Sequence, residues 1–372
     1  MTRPLRWLLM AGHVPGNARG GGIVRYTVEL ARALRRRPDV ELHLLVDPAA
    51  AVGLTDLAGD RDRLLELPPL PGPAVPAYER TALGLRLRGR YDVVQGVKHL
   101  LPRGLGRTHG VLTVHDMLLM DRPQDFGTAK RTLLQLPYAG SIRGADTLVC
   151  VSAATRARLS AFDPRTAARS TAVPLATSPT LLTAEPRPVE GLGDRPFALV
   201  VGDTQPRKNL PTVVTAWRQV VARRPDAVLV QVGPPPWGEE SYGPDFAPLV
   251  ASGHLRQLQG VDDGTLRWAY EQAAVVLAPS LAEGFGLPAA EALDLGAPLV
   301  TSTDAALVEV SGDRARHLPA EDVDGWAAAV LEQLAAPRPT APAPAGRRTW
   351  DDVAEGTVAA VRRGQAGRTP ST

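Results

Sequence analysis

One cysteine, Cys150, stands in 372 residues, so no disulfide framework can hold this chain together. It lies in the apolar run TLVCVS (147–152), where a thiol serves as a small core side chain. Aromatic residues are few, at 5%. No apolar run reaches the roughly 18 residues of a membrane-spanning helix. The basic start MTRPLR leads into an apolar run too short for a secretory signal, and no small-residue cleavage site follows it; it reads as a first β-strand, and the expected compartment is the cytoplasm. Neither G-x-G-x-x-G nor a G-K-[ST] loop occurs at a strand-to-helix turn, which disfavours a dinucleotide or ATP site. No D-x-D pair stands at a strand end. Asp262-Asp263 reads as a helix start rather than a metal site.

What is present describes a globular chain, 44% hydrophobic and 22% charged, long enough for two domains. The net charge of +3 hides an asymmetry. Residues 1–190 carry 26 basic and 17 acidic side chains; residues 191–372 carry 16 and 22. A basic half either meets something anionic, such as a membrane surface or a phosphorylated acceptor, or reflects arginine-rich coding.

Short apolar runs alternate with helical patterns. Residues 5–12, 41–47, 91–96, 111–116 and 147–152 read as strands buried on both faces, hence parallel. The helical patterns Ile23–Arg37 and Thr128–Arg143 lie between them. The Pro- and Thr-rich stretch 173–196 has no sustained periodicity and reads as a linker. The alternation then restarts with strands at 197–202, 227–233, 255–260, 275–280 and 298–302, and helices at Pro211–Arg224, Asp263–Ala274, Pro288–Leu295 and Val323–Ala335. A Pro/Ala tract (336–346) precedes a last helix. The expected fold class is α/β: two doubly wound Rossmann-like domains facing across a cleft, with ligands at the carboxyl ends of the strands. The expected divisions are 1–176, a linker at 177–196, a second domain at 197–345, a helix at 346–364 packing back on the first domain, and a disordered tail at 365–372.

Four segments carry candidate chemistry. In LVVGDTQPRKN (199–209) a strand ends at Gly202, and Arg207 and Lys208 follow, with Asn209 placed to cap the next helix. Two cations beside a helix start form an anion site, although most Arg-Lys pairs are merely solvated. In the first strand-to-helix turn, Gly20, Gly21 and Gly22 let backbone amides approach an anion; the plainer explanation is a loop needing positive φ. Arg35–Arg37 at the end of the following helix is best explained as dipole compensation. In VLTVHDM (111–117), His115 can donate to a phosphate or sugar oxygen and Asp116 can orient it or accept a hydroxyl, against the plain alternative of a structural histidine. In SLAEGFGLPAAEALDLG (280–296), the amides of Phe285, Gly286 and Leu287 stand at a helix start marked by Pro288, with Glu283 ahead of them and Glu291 within the helix, where it could simply complement the dipole.

These segments, in this order, resemble the retaining glycosyltransferases of family 4 with the GT-B fold, in their bacterial mannosyltransferase-like branch. EGFGLPAAE matches that family's E-x7-E motif, GDTQPRKN its donor-phosphate loop, and GGGIVRYTVELARAL and VHD its N-terminal loop and cleft strand. GPPPWGEESYG and TDAALVEVSGDRA also fall at family-like positions. The resemblance implies that Arg207 and Lys208 bind the donor diphosphate, and that Glu283 faces the transferred sugar. It implies that the amides of Phe285, Gly286 and Leu287 hold sugar and phosphate oxygens, and that Glu291 binds the ribose. His115 would contact sugar and diphosphate, Asp116 would assist, and Gly21 and Gly22 would close over the phosphates. Neither metal nor cofactor is implied. The expected partners are a nucleotide sugar, GDP-mannose first and a UDP- or dTDP-sugar as the alternative, and an acceptor glycan, glycolipid or small molecule. Nucleic acid is not expected; peripheral attachment to the inner face of the plasma membrane is. A sugar-nucleotide epimerase of the same architecture lacks a use for the E-x7-E and Arg-Lys sets, and an inactive binding protein lacks a reason to keep them. The chain departs from the family pattern at the proline-rich 233–243, around Trp237, and at Thr177, where an acidic residue is usual. Arg80–Arg90 has no family role and reads as a surface helix for an anionic acceptor or membrane.

Overall fold

Residues 3–192, 195–234, 242–336 and 346–367 are described by the structure, a computed structural model. The first strand, β1 (Leu5–Met10), buries Trp7, Leu8 and Leu9 completely. A buried strand must pair the backbone N–H and C=O groups along both of its edges. β1 does so with β2 (Val40–Val46) and β4 (Val93–Gly96), both parallel. With β3 (Leu64–Glu66), β5 (His109–Val114), β6 (Thr147–Cys150) and β7 (Ser170–Ala172) the sheet order is β3-β2-β1-β4-β5-β6-β7. The order reverses between β1 and β4, where a doubly wound sheet opens a crevice at its carboxyl edge.

Helix α1 (Gly22–Arg36) turns Tyr26, Leu30, Ala33 and Leu34 inward at helical spacing. Its basic end is spent locally: Arg36 pairs with Asp351 at 2.6 Å and Arg37 with Asp39 at 3.0 Å. Two further helices of this unit are α2 (Val75–Arg80) and α3 (Thr128–Gly144). Of the arginines at 80–90, expected as a surface helix, Arg86, Arg88 and Arg90 are exposed and Arg80 is not. Arg80 is buried and donates to Ser141 Oγ (2.7 Å), Arg86 donates to the Glu66 carbonyl, and Arg88 to the Gly104 carbonyl. The Glu66 carbonyl ends β3 and the Gly104 carbonyl lies in a loop, so Arg86 and Arg88 bridge separate segments.

The chain divides into two units, one formed by residues 1–175 with 348–372, the other by 176–347. The second unit holds β8 (Phe197–Val201), β9 (Val228–Val232), β10 (Leu255–Leu258), β11 (Val275–Ala278), β12 (Leu299–Ser302) and β13 (Arg316–Leu318), in the parallel order β10-β9-β8-β11-β12-β13. The order reverses between β8 and β11. Residues 177–196 are not a free linker, as their composition suggested. They contain α4 (Pro179–Thr183), and Leu181, Val189 and Leu192 are buried with Tyr270 and Leu266 in a core under one face of this sheet. Three apolar side chains at irregular spacing suffice, because the neighbouring helix supplies the periodic partner surface. Thr177 donates to Asp294 at 2.6 Å, which ties the start of this segment to the same unit.

The remaining helices of the second unit are α5 (Leu210–Arg223), α6 (Asp263–Gln272), α7 (Leu287–Asp294) and α8 (Val323–Ala335). Asp262 caps α6 by accepting the Thr265 amide at 2.8 Å, so it is a helix start as expected. The last helix, α9 (Trp350–Ala366), belongs to the first unit. Thr349 and Asp352 cap it reciprocally, and Trp350, Val353, Val358 and Val361 are buried. A side chain at Gly364 would stand 2.3 Å from Thr147 Oγ1, so glycine permits the close approach to β6. Of the tail expected at 365–372, residues 365–366 are helical and 368–372 lie outside the described residues, as does Trp237.

Leu181→Ala is expected to destabilise the protein by about 2–4 kcal/mol, read from denaturant midpoints. A loss below about 1 kcal/mol would place 177–196 outside the core.

Candidate active site

In the second unit, chemistry gathers where the strand order reverses. After β8 the chain passes Gly202 and forms one tight turn, Pro206–Lys208, before α5. Asn209 is the next residue, but its side chain makes no cap bond to the helix amides. It adopts φ +54° and is buried, and its amide donates to the carbonyls of Pro279 (3.2 Å) and Ala320 (2.7 Å). The expected cap is therefore a staple joining the loops after three different strands. Asparagine suits it because it tolerates the left-handed region and carries two donors. The Leu281 amide donates to the Arg207 carbonyl at 2.7 Å, which locks the loop after β11 onto the basic turn.

Glu283 is brought by that loop between both cations. Its Oε2 lies 3.1 Å from Arg207 Nη1, and its Oε1 lies 2.5 Å from Lys208 Nζ and accepts Ser280 Oγ–H at 2.7 Å. Its residue exposure is 7%. Burial alone would raise the carboxyl pKa; Lys208 and Arg207 together outweigh it and bring it down to about 2. The depression beside this cluster is lined by Gly202, Asp203, Lys208, Ser280, Glu283 and Gly286, all within this unit, so the two cations face two carboxylates there.

Helix α7 starts at the same place. Gly286 has φ +96°, and a Cβ there would meet Leu307 Cδ2 at 2.6 Å, so both backbone and packing call for glycine. The amides of Phe285, Gly286 and Leu287 lie at or just before a helix start, where no carbonyl four residues back is in helical position. Glu291 sits one turn on, 1% exposed, and its Oε2 accepts the Tyr270 hydroxyl at 2.7 Å. As folded, this carboxylate anchors α7 to α6; a ribose contact remains an expectation from the motif.

The candidate residues of the first unit stand at the carboxyl ends of its own strands. His115 follows β5 rather than ending it. Its Nε2 lies 2.9 Å from the Val97 carbonyl, and the Tyr26 ring meets it edge-on at 4.7 Å. Burial, helped by His99, pushes its pKa down to about 4, so the ring is neutral near neutral pH. A carbonyl can only accept, so Nε2 carries the proton and Nδ1 is an acceptor. The expected donation from His115 to a phosphate is therefore not available from this ring; it can accept a hydroxyl. Asp116 Oδ1 accepts the Leu118 amide at 3.1 Å, and its carbonyl accepts Tyr138 O–H at 2.8 Å, so it shapes the loop beside His115. Gly21 and Gly22 open α1. Neither has positive φ, and a Cβ on Gly21 would meet nothing within 4 Å. The loop-strain explanation for Gly21 thus fails, which leaves room for a ligand as the reason for glycine. Ser280, Asn209 and Tyr270 escaped the sequence reading as site residues: each is a common polar residue whose partner lies on a distant segment.

Residues 20–181 match the family described as Glycosyltransferase Family 4, and residues 195–336 the family described as Glycosyl transferases group 1. The O-antigen chain mannosyltransferase B of Escherichia coli is 27% identical over 333 residues, which cover 84% of this chain and 87% of that protein. The phosphatidyl-myo-inositol mannosyltransferase of Mycolicibacterium smegmatis is 38% identical over 130 residues, 34% of this chain and 33% of that protein. Among solved structures, Anabaena HepE in complex with UDP and glucose aligns with a TM-score of 0.66 at 15% identity, covering 96% of this chain and 95% of that one. That likeness carries the fold, the GT-B fold with its two parallel-sheet α/β units. The chain belongs to the family 4, group 1 glycosyltransferases and is an enzyme of that class.

The Glu283 carboxyl has its folded pKa below its ordinary value of 4.5, so its ion pairs stabilise the fold fully above that value. That contribution is lost as the pH falls from 4.5 towards about 2, and Glu283→Gln should flatten the stability profile over this range. The same variant frees Arg207 and Lys208 from a competing anion. Calorimetry should show tighter binding of GDP or UDP; weaker binding would mean that Glu283 positions the cations rather than competing for them.

Proposed function

We propose that this glycosyltransferase moves a hexose from a nucleotide sugar to an acceptor hydroxyl with retention of anomeric configuration and without a metal ion. The observation that carries the reading is the Arg207–Glu283–Lys208 cluster beside the start of α7. As the bond from the anomeric carbon to the diphosphate oxygen breaks, negative charge grows on the leaving nucleotide and positive charge on the sugar. Arg207, Lys208 and the helix-start amides meet the first; the Glu283 carboxylate meets the second. The acceptor oxygen bonds to the anomeric carbon on the face the diphosphate leaves, and its proton passes to the departing phosphate oxygen. Two fixed cations supply the charge that a metal would otherwise supply.

Mannose from GDP-mannose is the favoured donor, because the long-matching E. coli relative is named a mannosyltransferase. A UDP-sugar is the alternative, because the Anabaena neighbour holds UDP and glucose. The acceptor class that fits is a cell-envelope glycan or glycolipid. No helix among the described residues is long and apolar enough to cross a membrane. Peripheral attachment to the inner face of the plasma membrane is supported by Leu133 and Leu136, one turn apart on α3 and 71% and 79% exposed, beside Arg131.

Thermal stabilisation across GDP, UDP, dTDP and their sugars should single out one nucleotide, GDP first. Arg207→Ala and Lys208→Ala should each weaken its binding by about ten-fold or more. Glu283→Ala should keep nucleotide binding and lose transfer by about a hundred-fold. Loss of nucleotide binding on Glu283→Ala with none on Arg207→Ala would reverse these roles, and inhibition by EDTA would refute metal independence. Sedimentation with phosphatidylglycerol vesicles should fall on Leu133→Ser/Leu136→Ser; no difference would remove the membrane reading.

A further inference from the structure

We infer that Gln231 is a positioning residue of the donor-phosphate site: its side-chain amide holds the Gly202 carbonyl and so keeps Lys208 directed at Glu283 and at an entering diphosphate. This rests on the transferase reading above and adds to it a residue that acts through Lys208.

Gln231 is out of place in its strand. The other residues of β9 are Val228, Leu229, Val230 and Val232, all buried, and Gln231 is itself 0% exposed. A buried amide costs free energy unless its donors and acceptor are paired. Gln231 lies in register between Val200 of β8 and Gln257 of β10, and its Nε2 donates to the Gly202 carbonyl at 3.0 Å. Gln257 Nε2 donates to the Gln231 Oε1 at 3.2 Å and also to the Tyr242 hydroxyl. A carbonyl only accepts, so the Gly202 contact fixes which end of Gln231 is nitrogen, and that end fixes Gln257 in turn.

Gly202 is the pivot. Its N–H donates to the Val232 carbonyl at 2.9 Å while its own carbonyl accepts from Gln231, so β9 holds both of its polar groups. It has φ +145°, and a Cβ at Gly233 would stand 2.0 Å from its carbonyl oxygen, so the loops after β8 and β9 touch through backbone. Lys208 rests against the same glycine: a Cβ at Gly202 would lie 3.6 Å from Lys208 Cε and 3.8 Å from Nζ. From there Nζ reaches Glu283. Gly202, Lys208, Gln231 and Glu283 line one depression.

The pairing has a chemical consequence. Left without a donor, the Gly202 carbonyl would offer its lone pairs to the neighbouring Lys208 ammonium and compete with Glu283 for it. It would also leave the negative end of a peptide dipole uncompensated beside a site for an anion. Gln231 removes both effects by spending one N–H on that oxygen, and it brings no charge of its own into the core. Methionine at this position would fill similar space and leave the carbonyl unpaired.

Calorimetric titration of the full chain with GDP and with UDP, in a double-mutant cycle with Lys208, tests this. Gln231→Met should weaken the nucleotide that the wild type binds by about ten-fold, but by less than about two-fold in the Lys208→Met background. A role confined to folding would add to the Lys208→Met loss; additive losses, or an unchanged affinity, would overturn the inference. Amine labelling of the ligand-free protein, read by mass spectrometry with the exposed Lys98 as internal standard, gives a second readout. Lys208 should label about two-fold faster or more in Gln231→Met, because its ammonium is no longer held against Glu283. An unchanged ratio would overturn the inference whether or not a nucleotide binds, whereas a wild type that binds neither GDP nor UDP is a failure of the donor reading. Gln257→Met, on the edge strand β10 and half-buried, should give a smaller loss of the same non-additive kind, which keeps the test decisive if Gln231→Met fails to fold.

Discussion

A buried carboxylate keeps its charge only where something outweighs the loss of water, and the second unit is arranged around one such case. Glu283 is nearly inaccessible yet has a pKa of about 2, because Arg207 and Lys208 stand on either side of it. Those cations hold their places through the backbone. Leu281 ties the loop after β11 to Arg207, and Asn209 ties both to the loop after β13. Remove the carboxylate and two cations face each other in a confined space; remove the cations and an ionised carboxylate is left buried. The cluster is thus mutually required before any ligand arrives.

The two units repeat one geometric device for different chemistry. In each, the strand order reverses beside the first strand, and the loops from the two strands at that point carry the polar residues. The second unit pairs a basic turn with a helix start, which suits anionic phosphate. In the first unit the neutral His115 ring follows β5 and offers an acceptor nitrogen. Strand geometry determines where a ligand can lie; the loop residues determine which ligand.

The alternation of short apolar runs and helical patterns was legible because parallel strands buried on both faces must be apolar throughout. The edge strands β3, β7 and β13 were not, since each has three residues and β7 and β13 are mostly polar. Strand ends read from the sequence ran on by a residue or more past β1, β5 and β11, because the residues that follow a buried strand are themselves small or shielded. Those overruns contain Gly12, His115, Asp116 and Ser280, all in loops at the carboxyl ends of the strands. Residues 177–196 misled for the opposite reason: proline and threonine dominate the composition, while the packing depends on three apolar side chains.

By itself the sequence determined the alternation of elements, the resemblance to the family, and Glu283, Arg207 and Lys208 as candidate site residues, because motif spacing and strand-to-helix turns are local. Only the tertiary structure decided what those residues do to one another. It showed that Asn209 staples loops instead of capping a helix, that Glu291 anchors Tyr270, and that His115 has its one ring proton committed to Val97. The physical reason is the same each time. A hydrogen bond or ion pair is decided by which distant backbone or side-chain atom lies within about 3 Å, and that distance is not a property of the chain until the sheets have formed.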